Sequence, residues 1–599
     1  MLLTGGEIVA ETLIAAGVPY IAGIPGHGCL GLVDAFIARQ HRLCVLNVRQ
    51  ENAAVHLADG YYRTCGRPLA VFTSIGPGAC NTVIGAATAY VDSTAVLILT
   101  GGTHLHMLGK GVLQEIERRR SSDFLKVLEP VVKRSWEALS ARQLPFIMQR
   151  AFATMMTGRR GPVHVELPMD VQCDSAEVEV PTLSHRVADH RPLPDPAEVD
   201  RAAEVLLSAR RPLVLAGGGA LHADAAPEVK ALAEHLGAAV ITTLAGKGVF
   251  PETHPLSGWL TGSKGTTIGI ELSRTADVIL AVGCRFADET TCSYRRGVGF
   301  SIPPTKLVHL DIDPGEIGKN YPVEVGLVGD AKAGLGCLLS AMRDRRGEPA
   351  GENAYTAEIA ELRRKWSEET RAARESSAVP MTLSRMLAEA RAAIPMGAIV
   401  ASSSGNTQAQ ILQEFPFEEP RTCLTTGGFS TMGWTLPAAM GAKLAVPEKP
   451  VYGIVGDGDL LMSIQELATA VQHEIPVVMI VANNLGFISI KDLQRAVYGE
   501  DHLIGVDFAK RDGSLVSPDL AAAARAFGCY GERVQAPGEV GPAIRRAAES
   551  GLPAVVEVMV DRDPPGGGGA AYGWWDVPVP TYLSEGRAKY ERGRDEEVI

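Results

Sequence analysis

Apolar runs alternate with segments of helical periodicity along most of this chain. Residues 451–455 form an apolar run, VYGIV, that ends at a GDG turn. The next segment, SIQELATAVQH, has apolar residues at helical spacing, and a second apolar run, PVVMIVA, follows it. These segments predict a β–α–β unit with both strands buried side by side in a parallel sheet. Because the alternation recurs along the chain, we predict an α/β fold.

The length of the chain and the breaks in its pattern predict three domains. At roughly 150 residues per domain, 599 residues would form about four domains. Because α/β domains are often larger, we expect about three. Segments rich in proline, glycine or charge interrupt the alternation at 181–198, at 343–358 and from residue 561. We therefore expect three consecutive doubly wound parallel-sheet domains and a tail, at residues 1–185, 190–345, 360–560 and 561–599.

The composition is that of a globular enzyme. Apolar residues make up 46% and charged residues 21%, and the net charge of −12 argues against non-specific binding to nucleic acid. The ten cysteines are scattered without a CxxC pair, which is typical of a reducing cytosol and excludes a zinc ribbon. The chain starts without a basic n-region and contains no apolar run of the ~18 residues that a membrane span needs. We expect a cytoplasmic protein without a membrane or nucleic-acid partner.

Polar side chains stand at the ends of both strands of this β–α–β unit. Asp457 follows one strand, and Asn484 follows the other 27 residues later. The carboxyl ends of neighbouring parallel strands meet at one edge of the sheet, where such folds bind ligands. A carboxylate and an amide oxygen suit Mg²⁺, and the glycines beside Asp457 let backbone N–H groups approach phosphates. The alternative is that Asp457 caps a helix and that Asn483 and Asn484 form a turn.

The GDG turn and the NN pair at this spacing resemble the signature of enzymes that bind thiamine diphosphate through Mg²⁺. RQENAAVHLADGYYR at 49–63 resembles the segment around that family's cofactor-activating glutamate, and TTGGFSTMGWTLPAAMGA at 425–442 resembles its cofactor-bending segment. TTLAGKGVFPETHPLSG and HLDIDPGEIGKN are similar to the central domain of acetolactate synthases. The resemblance covers roughly residues 1–560. It implies a pyrimidine-binding domain, a central Rossmann-like domain and a diphosphate-binding domain.

The resemblance implies roles for residues near the rings of the cofactor. Glu51 would hydrogen-bond the aminopyrimidine and favour its imino tautomer, which removes the thiazolium C2 proton. Met432 would prop the two rings into a V, and the carbonyl of Ser430 would accept a bond from the 4′-amino group. Read without the resemblance, Glu51 is an acid at a helix N-terminus and Met432 fills a core.

The resemblance also implies the ligands of the diphosphate and of its metal. Asp457, Asn484 and the backbone oxygen of Gly486 would hold Mg²⁺. Gly405, Asn406 and Thr407 stand where the family grips the diphosphate, although acetolactate synthases usually have Gln-His there. The remaining implied cofactor contacts are Pro25, Gly76, Asn81, Gly456, Gly458, Asp459, Phe487 and Ile488. In this family the two halves of one site come from different subunits. We therefore expect a homodimer or homotetramer with active sites at the subunit interface.

The residues that would choose the substrate depart from the acetolactate synthase pattern. Gln114 resembles the active-site glutamine of that branch. Glu289 stands in place of the arginine that binds the carboxylate of the second keto acid, and Ile490-Lys491 stands in place of Gln-Trp. Lys491 would supply a substitute positive charge, unless it is solvated surface. His27, in a GHG loop where that branch has Gly-Gly-Ala, is a candidate general acid or base, or a structural residue of its loop.

Because of these departures, the sequence is compatible with more than one reaction and more than one set of cofactors. The GHG loop, SIGPG and the tail YGWWDVPVP look similar to the trihydroxycyclohexanedione hydrolases, which open a cyclic 1,2-diketone with water. The tail would cover the active site, unless it is only a C-terminal clamp. In the central domain, VLAGGG, GSKG, GCRF and HLDIDP resemble the FAD-binding surface of acetolactate synthases, a fold that also occurs empty or with ADP. The glycines of VLAGGG are otherwise explained by tight strand–helix packing.

The sequence thus predicts an enzyme that depends on thiamine diphosphate and Mg²⁺, with FAD as a further candidate cofactor. It would make or break a C–C bond beside a carbonyl in a 2-keto acid or 1,2-diketone, as an acetolactate synthase-like synthase or lyase. One alternative is a cyclic 1,2-diketone hydrolase, and another is a nucleotide-binding or regulatory protein without catalysis. An NAD-dependent dehydrogenase is disfavoured, because no GxGxxG with an acid about 20 residues later is present.

Overall fold

A computed structural model describes residues 1–116, 124–180, 190–562 and 575–597 of the chain. Three six-stranded sheets follow one another along these ranges, and the strands within each sheet are parallel. This confirms the predicted α/β fold of three parallel-sheet domains. In each sheet the strand order reverses direction. Right-handed crossovers on either side of a reversal place the helices on opposite faces of the sheet. None of the helices in these ranges combines the length and apolar character that crossing a membrane requires.

The first domain contains one large sheet and a separate strand pair. Its strands are β1 Leu2–Thr4, β2 Tyr20–Gly23, β3 Cys44–Asn47, β4 Leu69–Thr73, β5 Val96–Gly102, β6 Ser135–Glu137, β7 Val163–Pro168 and β8 Ser175–Glu177. Its helices are α1 Gly5–Ala15, α2 Leu30–Ile37, α3 Glu51–Cys65, α4 Pro77–Cys80, α5 Val83–Val91, α6 Phe124–Leu128, α7 Leu144–Met156 and α8 Met169–Cys173. The large sheet has the order β3-β2-β4-β5-β7-β6, and β1 pairs with β8 antiparallel. Every residue of β4 and β5 is buried, as expected of a sheet covered on both faces.

The central domain has a different strand order. Its strands are β9 Pro212–Ala216, β10 Ala239–Thr242, β11 Ser257–Leu260, β12 Val278–Val282, β13 Lys306–Asp311 and β14 Val325–Val328. Its helices are α9 Pro196–Leu207, α10 Gly218–His222, α11 Ala226–Leu236, α12 Thr267–Thr275 and α13 Ala331–Arg345. The order β11-β10-β9-β12-β13-β14 places the reversal between β9 and β12, the position at which dinucleotide-binding folds hold their ligands.

The third domain carries the β–α–β unit predicted around residue 457. Its strands are β15 Ile399–Ser402, β16 Cys423–Thr425, β17 Val451–Gly456, β18 Val478–Asn483, β19 Tyr530–Val534 and β20 Ala554–Met559. The helices from here to the tail are α14 Ala354–Arg374, α15 Leu383–Ala393, α16 Asn406–Glu414, α17 Thr435–Ala445, α18 Asp457–Leu460, α19 Glu466–Gln472, α20 Ile488–Tyr498, α21 Leu520–Ala526, α22 Val540–Glu549 and α23 Ser584–Arg594. The sheet order is β16-β15-β17-β18-β20-β19. The two predicted strands are present as β17 and β18, and the predicted helix between them is present as α19. A further short helix, α18, forms at the GDG turn.

Helices α3 and α17 join the first and third domains through two glycines. A Cβ atom on Gly60 would lie 2.2 Å from the carbonyl oxygen of Ala438, and one on Gly441 would lie 1.9 Å from that of Leu57. Only glycine permits so close an approach of the two helix backbones. The apolar core of the first domain therefore continues into one face of the third.

Candidate active site

Glu51 opens helix α3 at the carboxyl edge of the first sheet. Its Oε2 atom accepts a hydrogen bond from Asn81 Nδ2 at 2.9 Å, and a Cβ atom on Gly78 would lie 3.0 Å from its Oε1 atom. The side chain is only partly buried, so one side of the carboxylate stays open to a ligand. The N-terminal position on α3 also stabilises a carboxylate, which agrees with the plainer interpretation of this residue.

The loops after β2 and β4 bring further predicted residues to the same edge. His27 begins a short 3₁₀ turn after β2, and both His27 and Pro25 are exposed. The amide of Gly28 donates to Ser74 Oγ at 3.1 Å, which ties this turn to the loop after β4. Gly76 in that loop has a φ of +63°, a conformation that suits glycine.

Gln114 reaches this edge from the chain that follows β5. A Cβ atom on Gly76 would lie 1.8 Å from the carbonyl oxygen of Gln114, so the backbone of Gln114 rests directly on Gly76. Gln114 has a φ of +68°, and its side chain is exposed. The first edge thus gathers the predicted residues Pro25, His27, Glu51, Gly76, Asn81 and Gln114 at the carboxyl ends of β2 to β5.

Asp457 and Asn484 lie together at the carboxyl edge of the third sheet. Asp457 Oδ2 accepts a hydrogen bond from the amide of Leu485 at 3.0 Å, and Asn484 Oδ1 is buried without a hydrogen-bond partner. Burial raises the pKa of Asp457 to about 6, although backbone N–H groups oppose this shift. A buried amide oxygen without a partner is costly, and a cation beside the carboxylate would satisfy it. These residues fit an oxygen-liganded divalent cation.

The segment that precedes α16 offers backbone groups to an anion at the same edge. Gly405 has a φ of +96° and directly precedes α16, so the free N–H groups of the helix start at this point. Asn406 Nδ2 donates to Asp492 Oδ2 at 2.9 Å, and Thr407 is buried beside Gly456. The side chain of Asn406 is therefore already partly engaged.

The cofactor-bending segment is held from below by a buried carboxyl group. Ser430 has a φ of +57° and is exposed, and Met432 is partly buried. Asp459 accepts a bond from the amide of Gly433 at 3.0 Å and another from Ser403 Oγ. Burial raises the pKa of Asp459 to about 6. The structure therefore places Asp459 beneath this segment rather than at the open edge.

Phe487 and Ile488 close the side of the third edge that faces α20. A Cβ atom on Gly458 would lie 2.7 Å from the ring of Phe487, which packs edge-on against Phe508 with 5.0 Å between the ring centroids. Ile488 is buried at the start of α20. Gly458 thus permits the contact that places Phe487 beside the Asp457 turn.

Lys491 is largely buried and ion-paired, so it is not a solvated surface residue. Its side chain is 10% exposed, and its Nζ atom lies 3.4 Å from Asp507 Oδ1. Arg562 binds the same carboxylate. The single carboxylate of Asp507 offsets only one of these two positive charges, so the substitute charge of Lys491 stays a prediction.

A cavity of about 820 Å³ lies at the carboxyl edge of the central sheet. It is bounded by Gly218 and Gly219 after β9, by Asp311 at the end of β13 and by the loop at 283–290. It extends to Gly427 and Gly428, just before the cofactor-bending segment. A Cβ atom on Gly217 would lie 2.1 Å from the carbonyl oxygen of Gly283, so this glycine also serves close packing. A Cβ atom on Gly219 would likewise lie 2.7 Å from Gly283 Cα, so tight packing explains two of the VLAGGG glycines, and the FAD interpretation stays a prediction.

Glu289 lines this cavity. Burial raises the pKa of Glu289, and the nearby Lys264 opposes that shift. The described part of the tail docks close by, since Trp575 Nε1 donates to Asp288 Oδ2 at 3.2 Å and the amide of Asp576 donates to Ser293 Oγ at 2.9 Å. Trp574 lies outside the described residues. The tail residues that are described contact the central domain.

A buried ionic network links the cavity to the cofactor-bending segment, and the motifs did not predict it. Asp92 accepts bonds from the amide of Gly428 at 2.8 Å and from Arg63 at 2.9 Å. Arg63 also pairs with Asp59, which accepts a bond from Trp434 Nε1 at 2.7 Å. The spacing of Asp59 and Arg63 on one helix face is a readable sequence signal. Asp92 has no such signal in the sequence, because only the tertiary fold brings it to the network.

Comparison with known proteins identifies the family. Residues 3–122, 199–338 and 403–558 match the models of the N-terminal TPP-binding domain, the central domain and the C-terminal TPP-binding domain of thiamine pyrophosphate enzymes. The chain is 34% identical over 587 residues to a probable acetolactate synthase large subunit of Methanocaldococcus jannaschii, with 94% of both chains covered.

Bacterial relatives give the same result. The chain is 33% identical over 558 residues to the acetolactate synthase large subunit of Haemophilus influenzae, which covers 91% of this chain and 92% of the relative. It is also 33% identical over 564 residues to the acetolactate synthase isozyme 3 large subunit of Escherichia coli, with 92% of both covered. The chain belongs to the thiamine pyrophosphate enzymes, in the branch of the acetolactate synthase large subunits, and the predicted resemblance is confirmed.

Proposed function

We propose that this thiamine diphosphate-dependent enzyme is a Mg²⁺-requiring carboligase that joins two 2-keto acids, as its acetolactate synthase relatives are named to do. The observation that carries the proposal is at the edge of the third sheet, where Asp457 accepts a bond from the amide of Leu485 and the neighbouring Asn484 Oδ1 is buried without a hydrogen-bond partner. A catalytically silent relative would have no reason to keep this costly arrangement.

Each edge contributes a separate task. When bound, thiamine diphosphate supplies a nucleophilic carbon and an electron sink for bonds beside a carbonyl. Asp457, Asn484 and the carbonyl of Gly486 would hold Mg²⁺ and with it the diphosphate. Glu51, oriented by Asn81, would hold a proton at a ring nitrogen of the cofactor. Together these residues fix both ends of the cofactor.

We propose that a complete site needs two copies of the chain. Glu51 at the edge of the first sheet and Asp457 at the edge of the third each bond to residues of their own domain. One chain then offers two half-sites, and a homodimer or homotetramer would complete them. Sedimentation checks this, since an active monomer would contradict it.

We further propose that the central cavity holds FAD or an adenine nucleotide. Its volume of about 820 Å³ and its lining by Arg159, Arg160 and Arg285 suit a large phosphate-bearing ligand. Flavin absorption near 450 nm in the purified protein, or after addition of FAD, tests this directly. We also propose a cytoplasmic location. None of the ten cysteines, which all lie within the described residues, forms a disulfide.

Two parallel incubations with thiamine diphosphate and Mg²⁺ test the reaction. One uses pyruvate and is assayed for CO₂ and acetolactate, and the other uses a cyclic 1,2-diketone and is assayed for the ring-opened acid. Glu51→Gln is the control in both. Acetolactate formation supports the carboligase. Ring opening without CO₂ would overturn it in favour of a hydrolase in which the exposed His27 is the next residue to replace.

A further inference from the structure

The turn that carries the candidate metal ligands Asn484 and Gly486 has a strained residue at its centre. Leu485 has a φ of +61°, a left-handed conformation that is unfavourable for a residue with a side chain. Its amide donates to Asp457 Oδ2 at 3.0 Å and to Asn483 Oδ1 at 3.1 Å. A conformation of this kind persists only where the surrounding structure holds it.

A second segment runs antiparallel to this turn and holds one side of it through main-chain bonds. The amide of Phe508 donates to the carbonyl of Leu485 at 3.0 Å, and the amide of Phe487 donates to the carbonyl of Val506 at 2.7 Å. A Cβ atom on Gly486 would lie 2.4 Å from the same Val506 oxygen, so only glycine permits this approach. One side of the turn is therefore fixed by backbone contacts.

Arg562 joins the turn to this second segment. Its Nη1 atom donates to the carbonyl oxygen of Leu485 at 3.2 Å, and its Nη2 atom donates to Asp507 Oδ1. The side chain of Arg562 is 16% exposed. Lys491 of α20 lies 3.4 Å from the same Asp507 oxygen. The planar guanidinium thus bridges the strained residue and its neighbouring segment with two separate N–H groups.

The chain that leads from β20 to Arg562 is itself fixed on two sides. The amide of Val560 donates to the carbonyl of Asn483 at 3.0 Å, and the amide of Asp561 donates to the carbonyl of Met381 at 2.8 Å. These bonds continue the order of β20 to the residue directly before Arg562. Arg562 therefore reaches the turn from a rigid element, which is the support that a positioning group needs.

We propose that Arg562 is a positioning residue of the candidate cation site, which holds Leu485 in its left-handed conformation and thereby keeps Asn484 and Gly486 in place to bind the cation. Arg562 is always positively charged and offers no acceptor, so it acts through Leu485 and is not a ligand. Asn484 Oδ1 is buried without a hydrogen-bond partner, as a preorganised ligand would be. The part of this inference that concerns metal binding rests on the proposed function, whereas the part that concerns the conformation of the turn does not.

Hydrogen–deuterium exchange of the full chain, without metal or cofactor, tests the conformation of the turn. We expect protection of the amides at 485–487 to fall about tenfold in Arg562→Ala, because the strained residue loses a contact that holds it. Arg511→Ala removes an exposed arginine close to Asp507 in sequence, so it is the matched control and should leave this protection unchanged. Wild-type protection in Arg562→Ala would overturn the inference.

Titration with Mg²⁺ tests the consequence for the cation site. At a fixed excess of thiamine diphosphate, calorimetry should show half-saturation of Arg562→Ala at a Mg²⁺ concentration about tenfold above that of the wild type. An unchanged Mg²⁺ concentration at half-saturation, together with reduced protection of the turn, would refute the positioning role. If the wild type itself shows no Mg²⁺-dependent binding of thiamine diphosphate, the proposed function fails, and the exchange result still decides whether Arg562 holds the turn.

A conservative variant separates the position of the guanidinium from its charge. Arg562→Lys keeps the positive charge but replaces the fork of N–H groups by one ammonium, which should pair with Asp507 and lose the Leu485 carbonyl. We expect reduced protection of the turn and about threefold weaker Mg²⁺ binding, and this variant remains informative if Arg562→Ala fails to fold. Wild-type values of both quantities in Arg562→Lys would show that the charge alone suffices, which contradicts the inference.

Discussion

The first and third sheets share one strand order, and the central sheet has another. Numbered within each six-stranded sheet, the outer sheets both have the order 2-1-3-4-6-5, whereas the central sheet has 3-2-1-4-5-6. The turn after the third strand is SIGPG at 74–78 in the first sheet and GDGD at 456–459 in the third. Equivalent backbone positions thus carry no acid in one domain and the candidate metal ligand Asp457 in the other.

This comparison separates what the fold supplies from what the side chains supply. Both outer sheets provide an open carboxyl edge with glycine turns, and their second strands are followed by α3 and α17, which pack against each other. The acid at the first edge, Glu51, suits a proton-sharing role. The acid and amide at the third edge suit a cation. One architecture therefore supports two halves of a site with different chemistry.

Replacing Asp457 should have the largest effect, because it removes the candidate cation site at the edge of the third sheet. Asp457→Ala removes the only charged candidate ligand of the cation, so we expect Mg²⁺-dependent binding of thiamine diphosphate to be lost and kcat/KM to fall about 10³-fold. Calorimetric titration of the cofactor with Mg²⁺ and with EDTA measures the first effect. The exposed Asp512→Asn serves as the control, and unaltered Mg²⁺-dependent binding in Asp457→Ala would contradict the assignment.

Replacing Glu51, at the edge of the first sheet, should lower the catalytic rate without preventing the cofactor from binding. Glu51→Gln keeps the shape and the bond to Asn81, so we expect kcat to fall about 10²- to 10⁴-fold while the cofactor still binds. Steady-state rates and cofactor titration measure the two quantities together. If binding fell as much as activity, Glu51 would be a structural acid of α3, as the plainer interpretation holds. The exposed Glu129→Gln should change neither quantity.

The contact between α3 and α17 gives a prediction about stability. Gly60→Ala would place a methyl group 2.2 Å from the Ala438 carbonyl oxygen, so we expect a loss of about 1–3 kcal/mol in the free energy of unfolding. Gly336→Ala in α13 is the matched control, because its new methyl group meets no atom within 4 Å. That variant should gain about 0.5–1 kcal/mol, as helical glycines usually do. Urea unfolding measures both, and equal signs would refute the packing argument.

A buried histidine distinguishes α3 from α17 and predicts an acid sensitivity. Burial lowers the pKa of His56 to about 4, and neither ring nitrogen has a hydrogen-bond partner. The unfolded chain binds a proton near pH 6.5 and the folded chain does not, so stability falls as pH decreases from about 6.5 toward 4. The loss at pH 5.5 is about 1.4 kcal/mol relative to pH 7.5. His56→Leu should reduce this loss in urea titrations at the two pH values, and an unchanged loss would exclude His56 as its source.

Much of the fold was readable because its signals are local. Continuous apolar runs such as residues 451–455 predict buried parallel strands, and glycine turns mark their carboxyl ends. The position of Asp457 and Asn484 at neighbouring strand ends followed from β–α–β geometry alone. The helix predicted for SIQELATAVQH is present as α19. The short helix α18, which starts directly after β17 and is separated from α19 by residues 461–465, was not predicted.

Short-range sequence patterns were enough to predict the three-sheet architecture, the candidate cofactor residues and the family, because periodicity and motif spacing are properties of short segments. The tertiary structure alone showed that Lys491 pairs with Asp507, that Asp92 joins the Arg63 network, and that Glu137 lies beside Glu166. Each of these facts depends on burial and on partners far away in the chain. Charge compensation is set by the distance between groups in space, and no local pattern encodes that distance.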